Sequence, residues 1–271
     1  MTLPATLIDT AFETLTLDSP AEYVLRVTLN RPQAANAMNT QMGHDLTAVF
    51  ERLSVDVEGY RCVILTGAGE KAFCAGGDLK ERKGMSDETW GAQHLVFERM
   101  VRALIGCPLP LIGAVNGAAY GGGCEIAAAM DFVYAADTAR FALTEVTLGI
   151  IPGAGGTQNL PRAVGQRRAM EIILTGTPFT AAEAKEWGLV NTVSAPADLA
   201  NDVVATAARI AGNAPVSIRQ AKQAIRRGMQ MSLADGLAFE IEAYNRTVPT
   251  KDRQEGILAF NEKRKPVFRG N

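Results

Sequence analysis

The 271-residue sequence is poor in the groups that make metal and disulfide chemistry. It has two histidines, His44 and His94, and four cysteines, Cys62, Cys74, Cys107 and Cys124, with no CxxC pair among them. That set is too sparse for a usual zinc site, so no metal is expected. The same cysteine usage fits a reducing, cytoplasmic compartment and not a disulfide framework. Charge of one sign is lacking too: the formal net charge is −2. A broad field for nucleic acid is therefore not expected, and an anionic ligand has to be held by a few local groups. No segment approaches the roughly 20 consecutive apolar residues of a membrane span, so no membrane partner is expected. Residues 1–20 carry Asp9, Glu13 and Asp18 without a basic segment leading an apolar run, which is not the pattern of a signal peptide.

What is present is an ordinary globular composition, 47% hydrophobic and 21% charged. The length suits one large domain, or one with an appendage. Residues 23–29 and 61–66 read as strands, the second so apolar that it should be buried on both faces. Residues 110–115, 131–135 and 140–143 read as further strands, and 39–53 and 124–130 as helices. This alternation predicts an α/β domain over residues 1–197. From residue 198 to 271 the pattern is helical, with segments at 198–213, 215–229, 232–248 and 251–262. Such a short helical region has little core of its own and is expected to pack against a neighbouring subunit.

Two glycine-bearing stretches can carry chemistry. Gly121-Gly122-Gly123-Cys124-Glu125 enters a helix, and Cys74-Ala75-Gly76-Gly77-Asp78-Leu79 follows a strand. Each is either a plain turn or a source of unpaired backbone N–H groups at which a ligand oxygen can sit. Two such donors on one oxygen would form an oxyanion hole. Glu125 and Glu145 sit among apolar residues, where an unpaired charge is costly, and as a pair they invite general acid–base work. The glycines of Ile151-Pro152-Gly153-Ala154-Gly155-Gly156-Thr157 lack the Lys-Ser or Lys-Thr of a phosphate loop, and close backbone packing is the better reading. Cys74 has no histidine near it in sequence and reads as a small packing residue, not a nucleophile.

In this order the segments resemble the crotonase (enoyl-CoA hydratase/isomerase) superfamily, from about Asn30-Arg31-Pro32 to Phe268. Residues 115–125 and 148–158 are the most specific part. The resemblance implies a spiral of ββα units whose C-terminal helical region assembles trimers or hexamers. It implies that the N–H groups of Ala75 and Gly122 hold a thioester oxygen. Glu125 would activate water, and Glu145 would protonate the α-carbon. It implies that Ala34, Ala35, Ala37 and Ala75 to Leu79 (Gly76, Gly77, Asp78) border coenzyme A, with Phe260 and Lys263 reaching it from the C-terminal region. No cofactor beyond the acyl-CoA substrate is implied.

The acid pair favours syn hydration of a 2-enoyl-CoA to a 3-hydroxyacyl-CoA, in fatty-acid metabolism or elsewhere. Isomerisation of the double bond is the alternative. Residues 79–85 and 248–256 also resemble the methylglutaconyl-CoA hydratase branch, which has an RNA-binding member. That member's RNA role belongs to a lysine-rich early helix, whereas Arg52 is the only Lys or Arg here between residues 41 and 58. Neither RNA binding nor a non-catalytic CoA-binding role is expected.

Overall fold

The computed structural model describes residues 6–271. Residues 1–5, where the reading of the N-terminus begins, lie outside them. The first ββα unit is β1 (Leu15–Ala21), β2 (Val24–Leu29) and α1 (Thr40–Val55). The second is β3 (Cys62–Gly67), β4 (Ala72–Cys74), the single turn α2 (Leu79–Arg82) and α3 (Asp87–Gly106). The third is β5 (Leu111–Val115), β6 (Ala118–Tyr120) and α4 (Gly122–Ala129). β7 (Phe132–Ala136) and β8 (Arg140–Ala142) lead through a 3-10 turn, Glu145–Leu148, to α5 (Gly156–Val164) and α6 (Gln166–Thr175). β9 (Phe179–Thr180), α7 (Ala181–Trp187) and β10 (Thr192–Ser194) close the spiral. Four helices finish the chain: α8 (Leu199–Ala211), α9 (Pro215–Gly228), α10 (Leu233–Asn245) and α11 (Lys251–Asn261).

In units two to four the first strand joins one sheet and the second joins another. The larger sheet runs β1-β2-β3-β5-β7-β10, parallel except for the β1–β2 pair. The smaller runs β4-β6-β8-β9. β5 is buried at all five positions and β3 at five of six, as a sheet covered on both faces demands. One cover is α8, which contributes Leu199, Val203, Ala207 and Ala211 to the main core. α1 and α3 pack their apolar stripes on each other, among them Leu46, Phe50, Phe97 and Met100. α4 is buried at seven of its eight residues and is the central helix.

Helix starts follow side-chain caps: Asn39 accepts from Met42 N–H, Ser86 from Thr89 N–H and Ser232 from Asp235 N–H. The α/β class and the C-terminal helical region stand as expected. The segments read as strands and helices agree to within a few residues at each end. β1, β4, β6, β9 and β10 were not legible, nor were the bounds of α2, α3 and α5 to α7. Three of these strands span only three residues, too few for an alternating pattern.

α9 is held to the core by ions more than by apolar contact, with only Pro215 buried. Lys222 and Arg226 pair with Asp131 at 2.7 and 2.9 Å, and Asp131 also accepts from Leu111 N–H at 2.7 Å. The two cations also donate to the carbonyls of Leu109, Ile105 and Ala129. Asp131→Ala would leave both cations half-buried without their counter-charge, and should cost about 3 kcal/mol in urea denaturation. An unchanged midpoint would contradict this clamp.

Candidate active site

The site begins where two strand-to-helix turns lie side by side. After β4, Ala75 N–H donates to Ala35 O (3.1 Å), Met38 N–H to Gly76 O (2.7 Å) and Asp78 N–H to Met38 O (2.8 Å). After β6, Gly121 N–H donates to Ala142 O (2.8 Å) and α4 starts at Gly122. Gly76 has φ +91°, and a Cβ there would sit 2.8 Å from Tyr120 O and 3.3 Å from Gly122 N. Only glycine lets the two backbones run this close.

These bonds correct one expectation. The Ala75 N–H, expected to donate to a thioester oxygen, is already committed to Ala35 O. In the parallel bridge between Met38 and Gly77 the ladder uses the groups on either side of Gly77, so the Gly77 N–H stays outside it. The Gly122 N–H also has no intrahelical partner, because the residue four back, Ala118, belongs to β6 and not to the helix. Among the described residues, Gly77 and Gly122 therefore offer two donors without a backbone acceptor at the crossing of the turns. Gly77 lies in the same stretch as Ala75, two residues further on.

Both turns open into a cavity of about 720 Å³, lined by Ala75, Gly76, Gly77, Leu79, Gly122, Glu125 and Glu145 among others. Glu125 is 3% exposed. Its Oε1 accepts from Ala154 N–H (2.8 Å) and from Gly156 N–H (2.7 Å), the latter at the start of α5. A Cβ on Gly156 would sit 2.8 Å from that oxygen, so the cradle has no room for a side chain. The glycine run 153–156, read as close packing, is in addition the seat of an acid. The other oxygen, Oε2, lies 3.9 Å from where a Cβ on Gly122 would be. Glu145 opens the 3-10 turn after β8. Its Oε1 approaches a would-be Cβ on Gly121 to 3.1 Å, and its Oε2 is buried with no hydrogen-bond partner among the described residues. The two acids thus flank the Gly121-Gly122 pair.

Burial pushes the Glu125 carboxyl up to about 7, against the pull of the backbone donors, and the nearby Glu145 charge adds to the rise. Burial raises Glu145 as well. Cys74 is fully buried and its thiol is pushed up to about 12, consistent with a packing role.

The remaining positions expected near coenzyme A are not among the residues that line this cavity. Asp78 caps α2 and pairs with Arg31 at 2.9 Å. Ala34 ends the 3-10 turn Pro32–Ala34, Ala35 takes a left-handed conformation, and the Ala37 carbonyl accepts from Arg31. None of Ala34, Ala35, Ala37 or Asp78 lines the cavity. Phe260, 83% exposed on α11, and Lys263 just beyond it are also outside. Arg82, Trp90, His94, Phe97 and residues 148–154 do line it. Among the described residues no group of three His, Cys, Asp or Glu side chains could hold a metal, and no helix is long and apolar enough to cross a membrane.

Backbone donors at crossed glycine turns beside two buried acids, on a spiral of ββα units, define a crotonase-type fold and site. The model of the enoyl-CoA hydratase/isomerase family matches residues 20–271, and the chain belongs to that family. It is 49% identical over 249 residues to YngF of Bacillus subtilis, covering 92% of this chain and 95% of that one. With the short-chain-enoyl-CoA hydratase of Clostridium acetobutylicum it shares 44% over 239 residues, covering 88% and 91%. The crystal structure of an enoyl-CoA hydratase from Bacillus anthracis superposes with a TM-score of 0.93 at 44% identity, covering 96% of this chain and all of that one.

The raised Glu125 pKa has a stability consequence. The folded carboxyl titrates at about 7 and an unfolded one at the ordinary 4.5. The penalty is therefore absent below about pH 4.5 and grows as pH rises through about 7. Glu125→Gln should raise the melting temperature above pH 7, and the gain should vanish in acid. Thermal denaturation against pH reads this, and a gain independent of pH would contradict it.

Proposed function

We propose that this enzyme adds water across the C2–C3 double bond of a 2-enoyl-CoA thioester, giving the 3-hydroxyacyl-CoA. The observation that carries the reading is the pair of buried glutamates flanking Gly121-Gly122 in one cavity. The N–H groups of Gly77 and Gly122 receive the thioester oxygen. Negative charge grows there as water attacks C3, so these fixed dipoles stabilise the transition state more than the ground state. Glu125, oriented by the amides of Ala154 and Gly156, takes the proton from water through Oε2. Glu145, whose raised pKa eases protonation, supplies the proton to C2, and syn addition follows from both acids working on one face. The substrate is acyl-CoA, on which this family acts, and relatives named as hydratases support water as the co-substrate.

Exposed apolar residues on α9–α11, among them Ile225, Met229, Leu233, Leu237 and Phe260, support assembly into a homotrimer or hexamer through this region. Phe260 and Lys263 would then meet coenzyme A across a subunit boundary. Isomerisation is the second reading, because one acid that removes and returns a proton needs no solvent oxygen. The presence of two acids favours hydration.

Crotonyl-CoA incubated in ¹⁸O-water should lose its conjugated-thioester absorbance and gain one ¹⁸O at C3. Turnover by isomerisation without label would replace hydration by the second reading. Glu145→Gln should lower turnover roughly 100-fold or more with the fold intact, as expected for a lost acid–base group. In the wild type, kcat/KM should fall as pH drops below about 7, where Glu125 is protonated. Full activity of a folded Glu145→Gln variant would remove that residue from the mechanism.

A further inference from the structure

The two donors of the site are aimed by the carbonyls of their own peptides. A trans peptide holds its N–H and C=O on opposite sides, so fixing the carbonyl fixes the direction of the N–H. The Gly122 N–H shares its peptide with the Gly121 carbonyl, which accepts from Glu125 N–H at 3.0 Å in the first turn of α4. The Gly77 N–H shares its peptide with the Gly76 carbonyl, which lies before any helix. Here the bond comes from a distant loop: Met38 N–H donates to Gly76 O at 2.7 Å. On the other side of Gly77, Asp78 N–H donates to Met38 O at 2.8 Å. One residue therefore grips the Gly77 turn at both ends and leaves the Gly77 N–H facing away from the bridge.

The side chain of the same residue reaches the other donor. Met38 is buried and lines the cavity, and its terminal methyl stands against Gly122, where a Cβ would run into it. Its placement is strained. Ala35 and Asn36, two non-glycine residues in a row, take left-handed conformations with φ +51° and +55°. The fully buried Asn36 holds them there: its Nδ2 donates to Ala68 O and Ala72 O at 2.9 and 2.8 Å, and its Oδ1 accepts from Arg31 N–H at 3.0 Å. Strain of this kind persists only where the surroundings over-determine it, and here it delivers Met38 to the crossing of the two turns.

We infer that Met38 is a positioning residue for the two donors: its N–H sets the direction of the Gly77 N–H, and its side chain sets the spacing between Gly77 and Gly122. This rests on the reading in which both N–H groups receive the thioester oxygen, and deepens it. Met38 takes no proton and acts through the glycines. Donors held at a fixed direction and spacing need not reorganise as charge grows on the oxygen, so loss of Met38 falls on kcat more than on KM.

The carbonyl stretch of bound butanoyl-CoA reads the donors without turnover, since this thioester has no double bond to hydrate. With ¹³C at the carbonyl, infrared difference spectra isolate the band, which in the wild type should lie below its position in water. Two changes separate backbone from side chain. The α-hydroxy analogue of methionine at position 38 puts an ester oxygen where the N–H was and keeps the side chain. Met38→Ala keeps the N–H and removes the methyl. Each should return the band part of the way to its position in water and lower kcat on crotonyl-CoA roughly 10-fold, with KM moved less than about 3-fold. Met38→Leu, which refills most of the space, should recover most of both. A merely loosened fold lowers the active fraction but does not move the band of ligand that is bound. A wild-type shift that both changes leave in place would overturn the inference while the hole stands. So would a rise in KM with kcat kept, which would make Met38 a plain substrate contact. A wild-type band at its position in water would remove the hole itself, and this inference with it.

Discussion

A carboxylate that is 3% exposed has to be held by something other than water, and in this fold Glu125 is held by the amides of Ala154 and Gly156. The rest of the site depends on that arrangement. It requires the loop of residues 150–156 to cross α4 within hydrogen-bonding distance, which excludes a side chain at Gly156. It ties one oxygen of the acid and leaves the other toward Gly122. It also sets the competition between burial, which raises the pKa, and the donors, which lower it. Burial wins, and the acid is poised at about 7 where it can both take and return a proton.

The glycine turns make this possible from the other side. Because a Cβ on Gly76 would lie 2.8 Å from Tyr120 O, β4 and β6 bring their following turns into contact only with glycine at that position. The ββα repeat explains why the turns coincide. Units two to four each send their second strand to the smaller sheet, so the ends of β4, β6 and β8 gather, and with them Gly77, Gly122 and Glu145. The groups of the candidate site are far apart in sequence and adjacent because three successive units deliver them to one edge.

Much of this was legible in the sequence. The apolar runs at β3 and β5 announced a doubly covered sheet, and Glu125 and Glu145 stood out as acids in apolar surroundings. The donor register did not, because choosing between Ala75 and Gly77 depends on Met38, which pairs across a long loop. The surroundings of Arg82 escaped notice for a similar reason. In sequence it lies in residues 79–85, a stretch that carries a family resemblance but shows no packing partner. Only the placement of α3 brings Gln93, Trp90 and Phe97 around it. Neighbours in sequence reveal composition, whereas the partner of a given donor is fixed by the tertiary crossing.

The central claim is that two glutamates share this cavity in a buried, raised-pKa state. Carbon-13 NMR of the glutamate carboxyl carbons, titrated in the wild type and in Glu125→Gln, tests it directly. The account predicts one carboxyl titrating near pH 7 that disappears in the variant, and a second, also above the ordinary 4.5, that belongs to Glu145. Every glutamate titrating at or below 4.5 would contradict it.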